Sequence, residues 1–366
     1  MKMRQLWFAW AGLIVTLGAQ AQTLETLVQG LQVPWAVAFL PDGRFLITER
    51  DGNLRTARAG EAPSSPLQGV PKVDVNGQGG LLDLRLDSDF ARNRTLYLCY
   101  AEASVDGKTN STALARARLS DDAKQLTDVK RLFSQAPKVK SSLHFGCRIA
   151  ELPDGSLVLA LGERFSQMQQ AQNLGNHLGK TVRLTKDGGV PPDNPFVGRA
   201  GAAPEVYTYG HRNPQGAALD AQGRLWVSEH GPQGGDELNL IRPGLNYGWP
   251  VITHGENYGG GKIGEGLTSK DGMEQPVVQW TPSIAPSGLA HLKSNRYGPD
   301  WQGSFFLGSL KFGYLERVKL DAQQRVVAQE RLFAGIGRLR DVREGPDGLL
   351  YLLVEANGSL VRVNPR

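Results

Sequence analysis

Six histidines occur in the chain (His144, His177, His211, His230, His254 and His291), and none sits in a His-x-x-x-His zinc pattern. His144 is a candidate general base, because an imidazole titrates near neutral pH and can take a proton from a hydroxyl. Glu163 could hold its second ring nitrogen. Four strong cations, Arg212, Lys311, Arg338 and Arg340, form a second group. Several cations about one pocket suit a ligand with more than one carboxylate or phosphate, which the forked guanidinium reads best. The run from Glu229 through His230, Gly231, Pro232 and Gln233 to Asp236 and Glu237 is a third feature. A glycine-rich turn there offers backbone carbonyls beside two acids, and oxygens of that kind suit calcium. Gln78 and Asn213 add two amides. No Gly-x-Ser-x-Gly elbow is present, so serine hydrolysis is not favoured. No Gly-x-Gly-x-x-Gly opens a helix in a strand–helix–strand unit, so a nicotinamide fold is not favoured either.

Each feature has a plainer reading when taken alone. A single His is usually structural, Arg338 and Arg340 could lie on an exposed strand, and Gly231–Gly235 could be only a turn. The elements that position them decide the matter. Gly is abundant and long 3.6-residue patterns are scarce, so the chain reads as short strands between Gly, Pro, Asp and Asn turns. One phrase recurs: an apolar strand, a polar turn that is often Pro-Asp-Gly, a strongly apolar strand, then an alternating one.

The copies begin at Trp35–Leu40, Leu81–Leu86, Cys147–Leu152, Ala217–Asp220, Gly288–Leu292 and Val342–Glu344. Their second strands are Phe45–Thr48, Thr95–Tyr100, Leu157–Leu161, Leu225–Ser228, Phe305–Leu307 and Leu350–Val354. The third strands are Asn53–Ala57, Thr112–Leu119, Thr181–Leu184, Glu237–Ile241, Tyr314–Leu320 and Ser359–Val363. Asp-Gly between two apolar runs is a strong hairpin signal. Six such units, each with room for a further outer strand, predict an all-β, six-bladed propeller of four-stranded antiparallel blades. A β-sandwich or β-helix with chance turn similarity is the competing architecture.

Antiparallel pairing then says which loops share a face. Residues just before a first strand and just after a second strand lie at the same end of the blade. The unusual residues fall in those two places. Gln78, His144, Arg212, Asn213, Arg338 and Arg340 precede first strands; Glu163, the 229–237 run and Ser309-Leu310-Lys311 follow second strands. Convergence of separate loops on one mouth is what an active site on a rigid scaffold looks like.

The N-terminus reads as an export signal: Lys2 and Arg4, then an apolar stretch from Leu6 to Leu17, then Ala19-Gln20-Ala21 as a cleavage site. Residues 1–21 are therefore expected to be removed, leaving 22–366 as a single catalytic domain in the periplasm or outside the cell. The apolar stretch is too short to span a membrane. The formal net charge of +5 loses two units with Lys2 and Arg4, and no Lys/Arg-rich run exists, so nucleic-acid binding is not expected. Cys99 and Cys147 are the two cysteines. An oxidising compartment permits a bond, but their apolar strand settings favour two free buried thiols.

Several motifs carry a family resemblance. His144-Phe145-Gly146, Tyr209-Gly210-His211-Arg212-Asn213-Pro214-Gln215-Gly216, Glu229-His230-Gly231-Pro232, Asp236-Glu237-Leu238-Asn239, Asn246-Tyr247-Gly248-Trp249-Pro250 and Gly308-Ser309-Leu310-Lys311 are in order along the chain. They resemble soluble, pyrroloquinoline quinone (PQQ)-dependent glucose and aldose sugar dehydrogenases over nearly the whole expected mature chain. The resemblance implies that His144 removes the proton from the sugar C1 hydroxyl while hydride passes to the quinone, giving a lactone. It implies that Glu163 orients His144 and that Arg212 stabilises developing charge. It implies quinone binding by Gln78, Arg212, Asn213, Tyr258, Ser309, Leu310, Lys311, Arg338, Leu339 and Arg340. It implies Ca2+ on the carbonyls of Gly231 and Pro232, with Glu237 and Tyr247 matching a calcium-binding pair of the aldose branch.

The sequence departs from the glucose-specific pattern in two ways. Those members carry an Asp beside the catalytic His, where this chain has Leu143, and Glu163 is longer by a methylene than the usual orienting acid. With the shorter chain, both lean toward the aldose branch, with an aldose sugar as substrate, an unidentified electron acceptor and a monomer or homodimer. Two other functions compete: a calcium-dependent lactonase with a metal deep in the channel, and a non-enzymatic propeller that binds a glycan or protein through exposed aromatics such as Trp249 and Trp280.

Overall fold

The computed structural model describes residues 22–365; the expected leader, residues 1–21, lies outside them. Strand β1 (Thr23–Val28) opens the described chain. Blade 1 is β2 (Pro34–Phe39), β3 (Phe45–Glu49) and β4 (Leu54–Ala57). Blade 2 is β5 (Leu81–Leu86), β6 (Thr95–Ala103), β7 (Asn110–Leu119) and β8 (Leu126–Ser134). Blade 3 is β9 (Gly146–Glu151), β10 (Leu157–Leu161), β11 (Lys180–Leu184) and β12 (Val206–Tyr209). Blade 4 is β13 (Pro214–Leu219), β14 (Leu225–Glu229), β15 (Asp236–Leu240) and β16 (Val278–Trp280). Blade 5 is β17 (Pro286–His291), β18 (Ser304–Ser309), β19 (Leu315–Leu320) and β20 (Val326–Leu332). Blade 6 is β21 (Leu339–Glu344), β22 (Leu350–Val354) and β23 (Ser359–Asn364), with β1 as its outermost strand.

The innermost strands touch in a closed ring, β2 to β5 to β9 to β13 to β17 to β21 and back to β2. This is the expected six-bladed propeller. β1 closes it by pairing antiparallel with β23, Leu24 opposite Val363, so the two ends of the described chain share a blade. Blade 1 departs from the expected four strands. Its sheet has three, and an irregular segment takes the outer position through Ser64 N–H to Thr56 O at 2.8 Å and Leu67 N–H to Leu54 O at 2.8 Å.

The repeated Pro-Asp-Gly turn has one physical basis at each occurrence. At 41–43, Gly43 takes φ of 82° and the Asp42 carboxylate accepts from Arg44 N–H. At 153–155, Gly155 also has φ of 82° and Asp154 accepts from Ser156 N–H. The aspartate satisfies the backbone donor two residues on, and glycine takes the left-handed conformation that a side chain resists.

The axis is filled below the mouth. Arg148 is buried on β9, with Nη1 donating to Asp83 at 3.2 Å and to Asp341 at 3.0 Å. Its Nε donates to Gln215 O at 2.7 Å and its guanidinium lies 4.0 Å from the Trp35 ring centre. Arg343 joins the same two aspartates at 2.7 and 2.8 Å. Inner strands of five blades are thereby tied together.

The expectation for the cysteines is corrected: Cys99 on β6 and Cys147 on β9 form a disulfide, with Cα atoms 5.7 Å apart. Packing of blade 2 against blade 3 brings together two positions 48 residues apart, and no local pattern reports that distance. Among the described residues no helix is long and apolar enough to cross a membrane.

Candidate active site

A cavity of about 660 Å³ opens at one mouth of the propeller. Its walls include Gln78, Asn213, Gly231, Pro232, Tyr258, Leu310, Lys311, Arg338 and Arg340. His144 sits beside it, next to the wall residues Phe145 and Gly146. The two loop classes do meet here, although β21 starts at Leu339, so Arg340 lies within the strand rather than before it.

His144 precedes β9 and Glu163 follows β10, and Gly146 and Gly162 allow the approach. A Cβ at Gly162 would lie 2.0 Å from His144 O, and one at Gly146 would lie 2.5 Å from Gly162 N. With neither Cβ present, His144 Nδ1 and Glu163 Oε1 come to 2.8 Å. Gln78 Oε1 accepts from His144 N–H at 2.8 Å, and His144 holds a φ of 50°. Burial first, then the charges of Arg212 and Arg164, hold the imidazole pKa well below its ordinary value. Burial raises the Glu163 carboxyl to about 7, against the opposing pull of Arg212. Glu163 Oε2 is buried without a hydrogen bond. When Glu163 is ionised it accepts the Nδ1 proton, and Nε2 keeps the lone pair a base needs.

Arg212 is tied at one end only. Its N–H donates to Glu229 at 2.7 Å and its Nη1 to the carbonyls of His230 and Gly231 at 3.1 and 2.9 Å. Its Nε is buried with no partner. Asn213 Oδ1 accepts from Gly146 N–H and from Gln215.

The cation group is more neutralised than its composition suggests. Arg340 makes a forked pair with Glu355 at 2.7 and 2.9 Å, and Arg338 reaches the same carboxylate at 3.3 Å and Leu310 O at 3.1 Å. Glu355 was missed by sequence reasoning, as was Arg50; both line the cavity. Each directly follows the second strand of its blade, so the signal was present in the placement rule itself. Ser309 and Leu339 are fully buried and are not wall residues; Ser309 Oγ donates to Ile284 O at 2.8 Å, and Leu339 packs in the blade core.

The 229–237 turn is built around Asp236. Its carboxylate accepts from Gly231 N–H at 2.9 Å, Ile284 N–H at 2.6 Å, Ala285 N–H at 2.9 Å and Ser283 Oγ at 2.8 Å. That commitment aims Gly231 and Pro232 at the cavity. Glu237 lies directly across the ladder from Glu229, and both line a small internal cavity with Tyr247. Burial and the Glu229 charge push the Glu237 carboxyl well above the usual carboxylate range, while Asn239 Nδ2 donates to both acids. The Tyr247 hydroxyl donates to Leu240 O and accepts from Arg242 N–H. Among the described residues no three His, Cys, Asp or Glu side chains gather as a metal-ligand set.

Trp249 and Trp280 are both buried, which removes them as exposed glycan-binding aromatics. Tyr258, Phe165 and Phe312, which follows the wall residue Lys311, are exposed rings at the mouth.

The family model for glucose/sorbosone dehydrogenases matches residues 31–362. The chain is 46% identical over 348 residues to an aldose sugar dehydrogenase of Escherichia coli, covering 94% of this chain and 93% of that one. The crystal structure of the soluble aldose sugar dehydrogenase of E. coli in the apo-form superposes with a TM-score of 0.90 at 44% identity, over 94% of this chain and 100% of that one. The PQQ-bound form of aldose sugar dehydrogenase from Streptomyces coelicolor superposes at 0.76 with 31% identity, over 94% of this chain and 98% of that one. With its propeller, its ordered motifs and these likenesses along nearly all its length, the chain belongs to the glucose/sorbosone dehydrogenase family.

Proposed function

We propose that the protein is an aldose sugar dehydrogenase, an oxidoreductase that converts the C1 hydroxyl of an aldose to a lactone with His144 as the base. The observation that carries this reading is the buried His144–Glu163 pair beside a cavity walled by Lys311, Arg338 and Arg340. His144 Nε2 takes the hydroxyl proton, and Glu163 holds the tautomer that leaves Nε2 free. Arg212, with its unpartnered Nε, faces developing negative charge at low cost in reorganisation. When bound, PQQ supplies the two-electron acceptor for the C1 hydride.

The residues present fit such a group. A buried donor without a partner, Arg212 Nε, and a cationic wall suit a planar ligand with several carboxylates. Gln78, Asn213, Tyr258, Leu310, Lys311, Arg338 and Arg340 would hold it by side chain, and Ser309 and Leu339 could contribute only backbone. Calcium belongs to the same proposal. The Pro232 carbonyl carries no hydrogen bond from the described residues, and a dication would relieve the repulsion between Glu229 and Glu237. It would act on the bound acceptor as a Lewis acid. Residues 22–366 acting as one catalytic domain, export with removal of 1–21, and a periplasmic or secreted location complete the proposal.

The lactonase alternative loses its footing at the axis. It needs carboxylates free to grip a metal deep in the channel, whereas Asp83 and Asp341 are bonded there to Arg148 and Arg343. Absorbance titration of the purified apo-protein with PQQ and calcium tests the reading, followed by dye reduction with aldoses. Activity is expected only with both additions. A reconstituted protein that reduces no dye with any aldose would sink it.

A further inference from the structure

Phe165 combines two costs that folding alone does not repay. The residue is 42% exposed, and its backbone has φ of 66°. Arg164 before it has φ of 67°, and these are the only two consecutive non-glycine residues in the left-handed region among the described residues. A loop tip under no other demand would carry Gly or Asn there. Strain of this kind persists only where the surroundings over-determine it, and it clusters at working sites.

Arg164 supplies that determination. It is fully buried, and its Nε donates to Leu143 O at 3.1 Å and its Nη1 to Asn110 O at 3.2 Å. Its Nη2 donates to Asn110 Oδ1 and Ser141 O, both at 2.8 Å, and its guanidinium lies 3.7 Å from the Phe145 ring centre. Its carbonyl accepts from Ser141 Oγ at 2.8 Å. With Arg164 held inward from both ends, the next side chain is turned out at the mouth. Phe165 stands edge-to-face with His144, ring centres 5.1 Å apart, and 6.5 Å from Tyr258 at a tilt of 32°. Tyr258 is itself 63% exposed.

We propose that Phe165 is a substrate-binding residue that stacks on the C–H face of the pyranose ring whose hydroxyl His144 deprotonates, with Tyr258 as a second wall. The proposal rests on the reading of His144 as the base of a sugar oxidation. A pyranose has a polar rim and two faces of polarised C–H groups, and those faces complement the negative face of an aromatic ring. Stacking uses the ring rather than any one hydroxyl, so it suits aldopyranoses and the reducing ends of oligosaccharides alike.

The test compares full-length wild type, Phe165→Gly and Phe165→Trp, each reconstituted with PQQ and calcium, using D-glucose and maltose. Glycine keeps the positive φ without strain, so Phe165→Gly is expected to fold with an unchanged or higher Tm. Its KM for both sugars is expected to rise at least about fivefold, with kcat within about twofold. Phe165→Trp, which keeps a stacking face, is expected to stay within about twofold of the wild-type KM. An unchanged KM in Phe165→Gly overturns the proposal. So does a fall in kcat with KM unchanged, because the ring would then act by packing His144. Saturation-transfer NMR of D-glucose on wild type and Phe165→Gly supplies a readout free of turnover: loss of the signal in the variant supports the proposal, and equal signals overturn it. A wild type that reduces no dye sinks the dehydrogenase reading, while the NMR comparison still decides the role of Phe165.

Discussion

Two buried polar groups lie at different depths along the propeller axis, one on the inner strands and one in the loops at the mouth, and they are finished differently. At the axis, Asp83, Arg148, Asp341 and Arg343 satisfy one another, and Asp83 also accepts from Ile149 N–H at 2.8 Å. At the mouth, Glu163 Oε2 and Arg212 Nε have no partner, and His144 and Phe165 have positive φ. The saturated group holds blades together. The unsaturated one keeps polarity in reserve for a ligand. Low dielectric sharpens both outcomes, since a paired charge is held firmly and an unpaired one is costly until something binds it.

Substitutions should divide along that line. The largest effect is expected at the mouth: His144→Ala should lower turnover by about 10²–10⁴-fold or more while PQQ still titrates into the apo-protein. Retained turnover would remove His144 as the base. Next comes the axis, where Arg148→Met leaves Asp83 and Asp341 sharing Arg343 as their one cation and should cost about 3–5 kcal/mol in urea unfolding. If stability is unchanged, the axial pairs are ornamental and the contrast fails. The disulfide acts on the scaffold side alone. Replacing both Cys99 and Cys147 by Ser should lower stability by about 2–4 kcal/mol, the range for loops of this length, and leave KM for glucose unmoved.

Glu163 gives the smallest change in stability and the clearest sign. Its carboxyl is raised from 4.5 to about 7. The folded state therefore holds that proton more tightly than the unfolded chain, and the resulting stability is present below pH 4.5 and lost as pH rises through about 7. Glu163→Gln should thus be more stable than wild type by about 1–3 kcal/mol at pH 8 and nearly equal to it at pH 4. Activity should move the other way. In wild type kcat/KM should climb with pH through about 7 as Glu163 ionises and pins Nδ1–H, and Glu163→Gln should lose that limb. A scaffold residue would lower stability on substitution at both pH values.

Much of this was legible in the chain. The Pro-Asp-Gly turns at 41–43, 153–155 and 346–348 follow local chemistry, and period-2 alternation gave the strands they join. Antiparallel direction then put His144 and Glu163 at one end of blade 3. The same rule pointed to Arg50 and Glu355, which went unread because a lone Arg or Glu after a strand looks like any surface residue. Phe165 was hidden for another reason: nothing in Glu163-Arg164-Phe165 announces that Arg164 turns inward to Asn110 and Ser141, 54 and 23 residues away.

The amino-acid sequence by itself determined the number of blades, the direction of each strand and the loops that meet at the mouth. These follow from turn chemistry and alternation, which act over a few residues. Only the tertiary structure decided that Cys99 meets Cys147, that Glu355 neutralises Arg340, that blade 1 keeps three strands and that β1 closes blade 6. Pairing of that sort depends on which donors remain unsatisfied once blades pack, a property of neighbours far apart in the chain.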